Sequence, residues 1–228
     1  MARIGPFPGA ITSDLVRQYA VATRDANPDA VAGRVVPAVA IATQIWDAQL
    51  AAFAKLIPDE ARSSMTGGVH GEHNVVIHRP INPGEALSTF VETWGSRRCG
   101  RHNLFTMRYR TYARDDSLIA EQWWTTVLLN ATGEPTGEAA PTHDLADDAR
   151  ARPIGEVHLA SDTDMPRQYA EVSGDWSPHH FDEAAAQLDA HNEKVRGRWG
   201  EFVGKSFTEL QDRVMAQMND SLAQAQRE

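Results

Sequence analysis

Cysteine is nearly absent from this sequence. Cys99 is the only cysteine among 228 residues. A single thiol excludes an intrachain disulfide and a cysteine-rich zinc cluster. It is compatible with a reducing compartment, so we predict a cytoplasmic protein.

Long apolar runs and an excess of positive charge are missing as well. The most apolar stretch, residues 35–42, is far too short to cross a bilayer, and the N-terminus lacks the apolar core of a signal peptide. Lysine and arginine number 22 against 31 acidic residues, which gives a formal net charge of −9. This balance argues against a broad surface for nucleic acid or anionic membrane. We therefore expect neither nucleic-acid binding nor membrane insertion.

What the chain does have is the composition of a globular protein, with 42% hydrophobic and 23% charged residues. Ser13 is placed to cap a helix over residues 14–25, and Asn27 and Pro28 favour a turn that ends it. Residues 37–56 are rich in alanine and apolar on all sides at their start, and Pro37 suits a first helical turn. They predict one long helix that is buried by whatever wraps around it.

After Gly68 the sequence takes on the character of β-strands. Residues 103–114 alternate apolar and polar side chains, as in a half-buried strand. The predicted strands are residues 73–81, 86–94, 103–114 and 117–131, separated by turn signals at 82–85, 96–102 and 114–117. A long helix against one antiparallel sheet is an α+β layer arrangement.

The last third of the chain is less regular. Residues 133–153 are rich in Gly, Pro, Ala and acidic residues without an apolar period, which predicts a linker. Residues 204–224 space Phe207, Leu210, Val214, Met218 and Leu222 about one helical turn apart. This spacing predicts an amphipathic helix that docks on its own protein or on a partner.

A short internal repeat relates a segment near the N-terminus to a segment in the last third of the chain. The stretch YAVATRDANPDA begins at Tyr19, and YAEVSGDWSPHH begins at Tyr169, 150 positions later. The alignment pairs Asp25 with Asp175, but Ala30 with His180. If the motif carries chemistry through Asp and His, only the second copy has both residues.

The second copy also has a purely structural interpretation. Gly174 and Asp175 favour a turn, Ser177 is a good helix N-cap, and Pro178 suits the first helical position. A metal site is a weaker alternative, because the spacing of His179, His180 and Asp182 matches none of the usual zinc patterns.

The second copy resembles the signature of the MaoC-like dehydratases, the (R)-specific enoyl-CoA hydratases. The signature is an aromatic residue, a small residue with Gly-Asp, then x-Asn-Pro, an aliphatic residue and His. This sequence departs from it at Ser177, where Asn is usual, and at His179, where an aliphatic residue is usual. The matching positions are Tyr169, Ser173, Gly174, Asp175, Pro178, His180, Asp182 and Ala185.

The resemblance implies a hot-dog fold, in which a long central helix is wrapped by an antiparallel sheet. It implies an N-terminal hot-dog domain at residues 1–132 that is a catalytically silent copy. After the linker at 133–153, residues 154–187 are a partial second repeat carrying the Asp/His motif, and residues 188–228 are a charged helical tail.

The resemblance also implies a reaction, the hydration of trans-2-enoyl thioesters to (3R)-3-hydroxyacyl thioesters or its reverse. Asp175 and His180 correspond to the catalytic pair that activates water, and Ser177, Gly174 and Tyr169 would bind substrate or support the loop. No metal or cofactor is expected, and coenzyme A or acyl-carrier protein would be part of the substrate.

Two features of the family pattern do not follow His180. Neither a glycine-containing helix start that could supply an oxyanion donor nor a second sheet is recognisable after Ala186. Three alternatives stay open: the chain completes its site with a partner subunit, it is a non-catalytic acyl-thioester-binding or structural subunit, or its first sheet serves both motif copies. Uncovered apolar surface would favour a homodimer or a heteromer with a related hot-dog subunit.

Overall fold

The computed structural model describes residues 3–141, 155, 158, 160, 162–177 and 180. The helices are α1 (Ser13–Thr23), α2 (Pro28–Val31), a 3₁₀ helix (Ala38–Gln44), α3 (Trp46–Lys55), α4 (Asp59–Ser64) and α5 (Met165–Ser173). The strands are β1 (Arg3–Ala10), β2 (Gly67–Ile77), β3 (Ala86–Cys99), β4 (His102–Ala113), β5 (Leu118–Leu129) and β6 (Thr136–Gly137). None of the described helices combines the length and the apolar character that a membrane span requires.

The strands form one antiparallel sheet in the order β1-β3-β4-β5-β2, and β6 pairs with β3. The four predicted strands are confirmed. In β4 the predicted alternation also holds, because Phe105, Met107 and Tyr109 are buried while Arg108 and Arg110 are partly exposed. β4 therefore has one face toward an apolar core.

The core lies between α3 and the sheet. Ala48 and Ala52 of α3 pack with Phe105, Met107 and Tyr109 of β4. The hydroxyl of Tyr109 donates a hydrogen bond to Oε1 of buried Gln49, so the polar ends of both side chains are satisfied inside the core. This is the predicted α+β arrangement, a helix wrapped by an antiparallel sheet.

The single long helix predicted over residues 37–56 is wrong. The chain forms the 3₁₀ helix first and changes to α3 after Ile45. The 3₁₀ part shows hydrogen bonds from Ala40 N–H to the Pro37 carbonyl at 2.9 Å and from Ile45 N–H to the Ala42 carbonyl at 3.3 Å. β-branched residues disfavour the α-helix there. This part is not buried on all sides either, since Val39 is 60% exposed.

The first helix begins one residue earlier than its predicted cap implies. Thr12 is the N-cap, and its hydroxyl accepts a hydrogen bond from Leu15 N–H at 3.1 Å. Ser13 is instead the first helical residue. The turn predicted at Asn27 is present, but Asn27 also caps the short α2, with its side chain accepting from Asp29 N–H at 3.0 Å.

Two parts of the sheet were not predicted. β1 contains Pro6 and Pro8, which removed the sequence signal for a strand, but β1 lies at the sheet edge, where proline is tolerated. The turn predicted over residues 96–102 is wrong in length. β3 continues to Cys99 and pairs with β4 at His102, so the hairpin turns at Gly100, whose φ is 59°.

The segment that follows β5 begins as part of the sheet. Ala131 is fully buried, and β6 pairs Gly137 with Gly95 of β3. A Cβ atom at Gly95 would lie 2.2 Å from the Glu138 carbonyl oxygen, so the close crossing requires glycine there. The first residues of the predicted linker are therefore tied to β3.

The predicted domain boundaries stay predictions. Residues 162–177 belong to the same compact unit as the sheet, and residues 178–228 form a second unit. The predicted helix over residues 204–224, the helix expected after Ser177 and most of the predicted linker lie outside the described residues.

Candidate acid/base site

The stretch with the predicted site residues begins as the end of a helix. α5 stops at Ser173, and Gly174 adopts the left-handed conformation with φ 79°, its N–H donating to the Ala170 carbonyl at 2.9 Å. A Cβ atom at position 174 would lie 3.2 Å from Cδ1 of Trp46. Backbone conformation and packing thus both favour glycine, and the chain leaves the helix at a fixed point.

Asp175 is held in the turn that follows. One of its carboxylate oxygens, Oδ1, accepts a hydrogen bond from Ser177 N–H at 3.0 Å. Its own N–H donates to the hydroxyl of Ser173 at 3.2 Å. The predicted turn at Gly174 and Asp175 is confirmed, and these local bonds restrict the orientation of the carboxylate.

The first copy of the repeat has the same backbone design. α1 ends at Thr23, and Arg24 adopts the left-handed conformation with φ 54°. Oδ1 of Asp25 then accepts a hydrogen bond from Asn27 N–H at 2.8 Å. Helix end, left-handed residue and side-chain turn thus recur 150 positions apart, so the predicted repeat is structural.

The two copies touch through their helices. The rings of Tyr19 and Tyr169 meet edge to face with centroids 6.1 Å apart. Burial, together with Tyr169 and Asp25, raises the pKa of Tyr19 to about 12. Burial and the charge of Asp175 also raise the pKa of Tyr169, so both phenols stay neutral at physiological pH.

His70, on strand β2 of the sheet, is a histidine whose pKa is affected by the charge of Asp175. The His70 ring on β2 stacks on Trp124 of β5, with centroids 3.7 Å apart and an angle of 8° between the planes. Burial lowers the pKa of His70, while a hydrogen bond with the Glu72 backbone and the charge of Asp175 act in the opposite direction. The charge of Asp175 thus favours the protonated form of the His70 ring, but less strongly than burial opposes it.

A second histidine lies deeper on the same strand. Nε2 of His73 is 3.1 Å from Oε1 of Gln122, and its ring centroid is 5.9 Å from that of His70. Burial and the neighbouring His70 lower the pKa of His73 to about 4. His73 is therefore neutral at physiological pH and extends the aromatic surface formed by His70 and Trp124.

The structure brings four of the five predicted site residues together. Tyr169, Gly174, Asp175 and Ser177 lie at the end of α5 and in its turn. His180 is described and exposed, but it falls in the second compact unit, and its pairing with Asp175 stays a prediction. In the described part of the chain, no group of three or more His, Cys, Asp or Glu side chains is arranged to hold a metal ion.

Sequence reasoning missed His70 and His73. The sequence signal for these two residues was the stretch VHGEHN, residues 69–74. In it one histidine precedes a glycine and a second follows two residues later, at the start of a predicted strand. Gly71 marks a β-bulge, because the pairing of β2 with β5 shifts between His70 and Glu72. A glycine next to histidines in a strand can mark such a bulge, at which the direction of the neighbouring side chains changes.

Comparison with known proteins gives the fold. No family model matches the chain, and no curated protein matches it. A MaoC-like dehydratase from Phytophthora capsici has a TM-score of 0.68 at 15% identity, covering 91% of this chain and 77% of that one. A second structure named MaoC-like dehydratase has a TM-score of 0.60 at 20% identity, covering 83% and 70%.

A third similar structure is HtdX of Mycobacterium tuberculosis, with a TM-score of 0.56 at 18% identity. The match covers 82% of this chain and 66% of HtdX, so the chain spans just under two thirds of that protein. Identities this low carry the fold and not the activity. The described chain has the hot-dog fold found in the MaoC-like dehydratases.

Proposed function

We propose that this protein is a hydro-lyase that hydrates trans-2-enoyl thioesters to (3R)-3-hydroxyacyl thioesters, or catalyses the reverse dehydration. The observation that carries the proposal is Asp175. Its carboxylate is oriented by Ser177 N–H, on a fold shared with proteins named dehydratases. An oriented carboxylate suits general acid–base chemistry.

The reaction requires two proton movements. Water loses a proton as its oxygen attacks the β-carbon, and the α-carbon gains a proton as the carbon–carbon double bond disappears. In the proposal, Asp175 and His180 hold the water between them, and one of them accepts its proton. Gly174, Ser177 and Tyr169 keep the turn in place. The carbonyl of the thioester becomes enolate-like during attack, and a hydrogen-bond donor to that oxygen would lower the barrier.

The proposal includes the setting of the reaction. The acyl group is carried by coenzyme A or by acyl-carrier protein, and no metal or redox cofactor takes part. The protein acts in the cytoplasm as a homodimer or with a related hot-dog subunit. A partner subunit would supply the oxyanion donor that is not recognisable after Ala186.

The unrecognised oxyanion donor supports a second candidate function. A chain without that donor would serve as a non-catalytic subunit that binds acyl thioesters or stabilises a complex. In that case Asp175 would have a structural role in its turn. Binding of an acyl thioester without turnover distinguishes this function from the first.

The test is the loss of enoyl-thioester absorbance when trans-2-enoyl-CoA substrates of short, medium and long chain are added to the purified chain. The hydro-lyase proposal expects turnover that Asp175→Asn and His180→Ala remove. Asp25→Asn is the matched control, because Asp25 has the equivalent turn bond in the first copy. A folded chain that binds these substrates but converts none of them supports the non-catalytic subunit instead.

A further inference from the structure

The turn that carries Asp175 is held together by short-range hydrogen bonds. Oδ1 of Asp175 accepts from Ser177 N–H at 3.0 Å, and the N–H of Asp175 donates to the Ser173 hydroxyl at 3.2 Å. Both bonds lie within five consecutive residues, so they fix the carboxylate relative to the end of α5. A contact from outside α5 is needed to fix that helix end relative to α3 and the sheet.

Trp46, the first residue of α3, makes such a contact. A Cβ atom built on Gly174 would lie 3.2 Å from Cδ1, 3.7 Å from Cγ and 3.9 Å from Cβ of Trp46. These distances are those of direct packing or closer. The indole of Trp46 therefore lies against the side of Gly174 where any other residue would carry its side chain.

The backbone that carries Trp46 is anchored in the core. Ile45 before it is fully buried, and Ala48 and Gln49 after it are buried against the sheet. Oε1 of Gln49 also accepts the hydrogen bond from the Tyr109 hydroxyl of β4. A side chain on such a rigid element can hold a neighbouring site more accurately than one on a loop.

The first copy of the repeat has no equivalent contact at its helix end. The residue that matches Gly174 is Arg24, which carries a Cβ atom where Gly174 has open space for a ring. Its side chain leads to an exposed ion pair with Asp162. Glycine and indole thus occur together only at the copy that has the residues of the proposed reaction.

We propose that Trp46 is a positioning residue of the acid/base site and sets where the Asp175 carboxylate lies relative to α3 and the sheet. This inference rests on the hydro-lyase function proposed above. Trp46 acts through Gly174 and transfers no proton itself. Because a displacement of a catalytic group by about 1 Å can lower a rate by about 100-fold, loss of the indole acts on kcat.

The kinetic test compares Trp46→Ala with Trp94→Ala in the full chain. Trp94 is a matched control, because it is also a half-buried indole but its contacts are with Trp123, Arg108 and Ala139. We expect Trp46→Ala to lower kcat by about 10- to 100-fold and to change KM less than about threefold. Trp94→Ala should keep kcat within about threefold, since the loss of a distant packing contact changes stability rather than the chemical step.

Conservative variants separate positioning from folding. Trp46→Phe keeps a flat ring against Gly174 and should recover most of kcat. If Trp46→Ala does not fold, Trp46→Leu serves in its place, because it keeps apolar volume at this site but lacks the ring. Urea unfolding of each variant ensures that kcat is measured on folded protein.

A second measurement follows the turn without any substrate. The amide of Ser177 donates to Asp175, and the amide of Asn27 makes the equivalent bond to Asp25 in the first copy. In Trp46→Ala, hydrogen exchange measured by NMR should become at least about threefold faster at Ser177 and stay unchanged at Asn27, because only the turn after α5 is loosened.

The outcomes distinguish this inference from the proposed function. An active wild type whose Trp46→Ala variant keeps its kcat, or a variant with unchanged Ser177 exchange, refutes the role of Trp46 and leaves the proposed function standing. A folded wild type that is inactive on every thioester refutes the proposed function, and the catalytic purpose of Trp46 with it.

Discussion

The two copies of the helix–turn repeat have the same backbone and different neighbours. In both, a helix ends in a left-handed residue and an Asp side chain accepts a backbone hydrogen bond two residues on, at 2.8 Å for Asp25 and 3.0 Å for Asp175. Only Asp175 is described as acting on a histidine of the sheet. The turn is therefore a way to hold a carboxylate, and the residues around it differ between the two copies.

At the position that matches His180, the first copy of the repeat has Ala30, whose side chain can neither accept nor donate a proton. Ala30 is fully buried in α2. The first copy uses the same turn to start a short helix that covers apolar surface. The first copy of the repeat thus has a structural role, while the second copy has the residues of the proposed reaction.

The largest expected effect separates the two aspartates by activity. Asp175→Asn should lower kcat/KM for trans-2-enoyl-CoA by about 100- to 10,000-fold, because a neutral amide cannot orient or accept a proton as the carboxylate does. Asp25→Asn should change it less than about threefold, because its amide oxygen can still accept from Asn27 N–H. Equal losses in both variants would show that the turn acts through structure alone.

A second prediction concerns pH, because the sheet holds a partly buried histidine, His73, and neither copy of the repeat contains one among the described residues. The pKa of His73 is about 4 in the folded chain, against an ordinary value of 6.5. Between these values the unfolded chain binds the extra proton, so stability is fully present above pH 6.5 and is lost as the pH falls toward 4. The loss is on the order of 3 kcal/mol.

His73→Gln removes this titration and keeps a side chain that can bond to Gln122. Urea unfolding at pH 7 and at pH 4.5 measures the effect. The wild type should lose more stability than His73→Gln between the two pH values. Parallel losses would mean that other groups account for the acid sensitivity.

The smallest expected effect compares the left-handed residues at the helix ends. Gly174→Ala should destabilise the fold by about 1–2 kcal/mol, because the left-handed conformation is unfavourable for alanine. Its Cβ atom also meets Trp46. Arg24→Gly should change stability by less than about 1 kcal/mol, because relief of the same strain offsets the greater freedom of the unfolded chain.

Urea unfolding of the two variants checks this prediction. Arg24 also forms an exposed ion pair with Asp162, whose loss contributes little. A Gly174→Ala variant as stable as the wild type would contradict the left-handed geometry assigned to this helix end.

The sequence predicted those parts of the molecule whose signals are local. The alternation around Phe105 and Tyr109 identified β4, and the match of Asp25 with Asp175 identified a repeat that the backbone confirms. The resemblance in the second copy led to the hot-dog fold. The break after Ile45 was not predicted, because the alanine content of the stretch was given more weight than its β-branched residues Val39, Ile41 and Thr43.

The surroundings of the site depend on contacts that a linear pattern does not contain. Tyr19 and Tyr169 are 150 positions apart in sequence, and their contact follows from the packing of α5 on α1. β1 was missed for a related reason. Its prolines argue against a strand until its place at the sheet edge is known.

The packing of α1 on α5 has a consequence for synthesis on the ribosome. The two helices share the contact between Tyr19 and Tyr169, residues 150 positions apart. At roughly 5–20 residues per second, translation needs about 8 to 30 s to make the partner of α1. During that interval the apolar side of α1, including Tyr19 and Ala22, lacks the helix that covers it. A chaperone that shields apolar segments of nascent chains would bind at this side of α1.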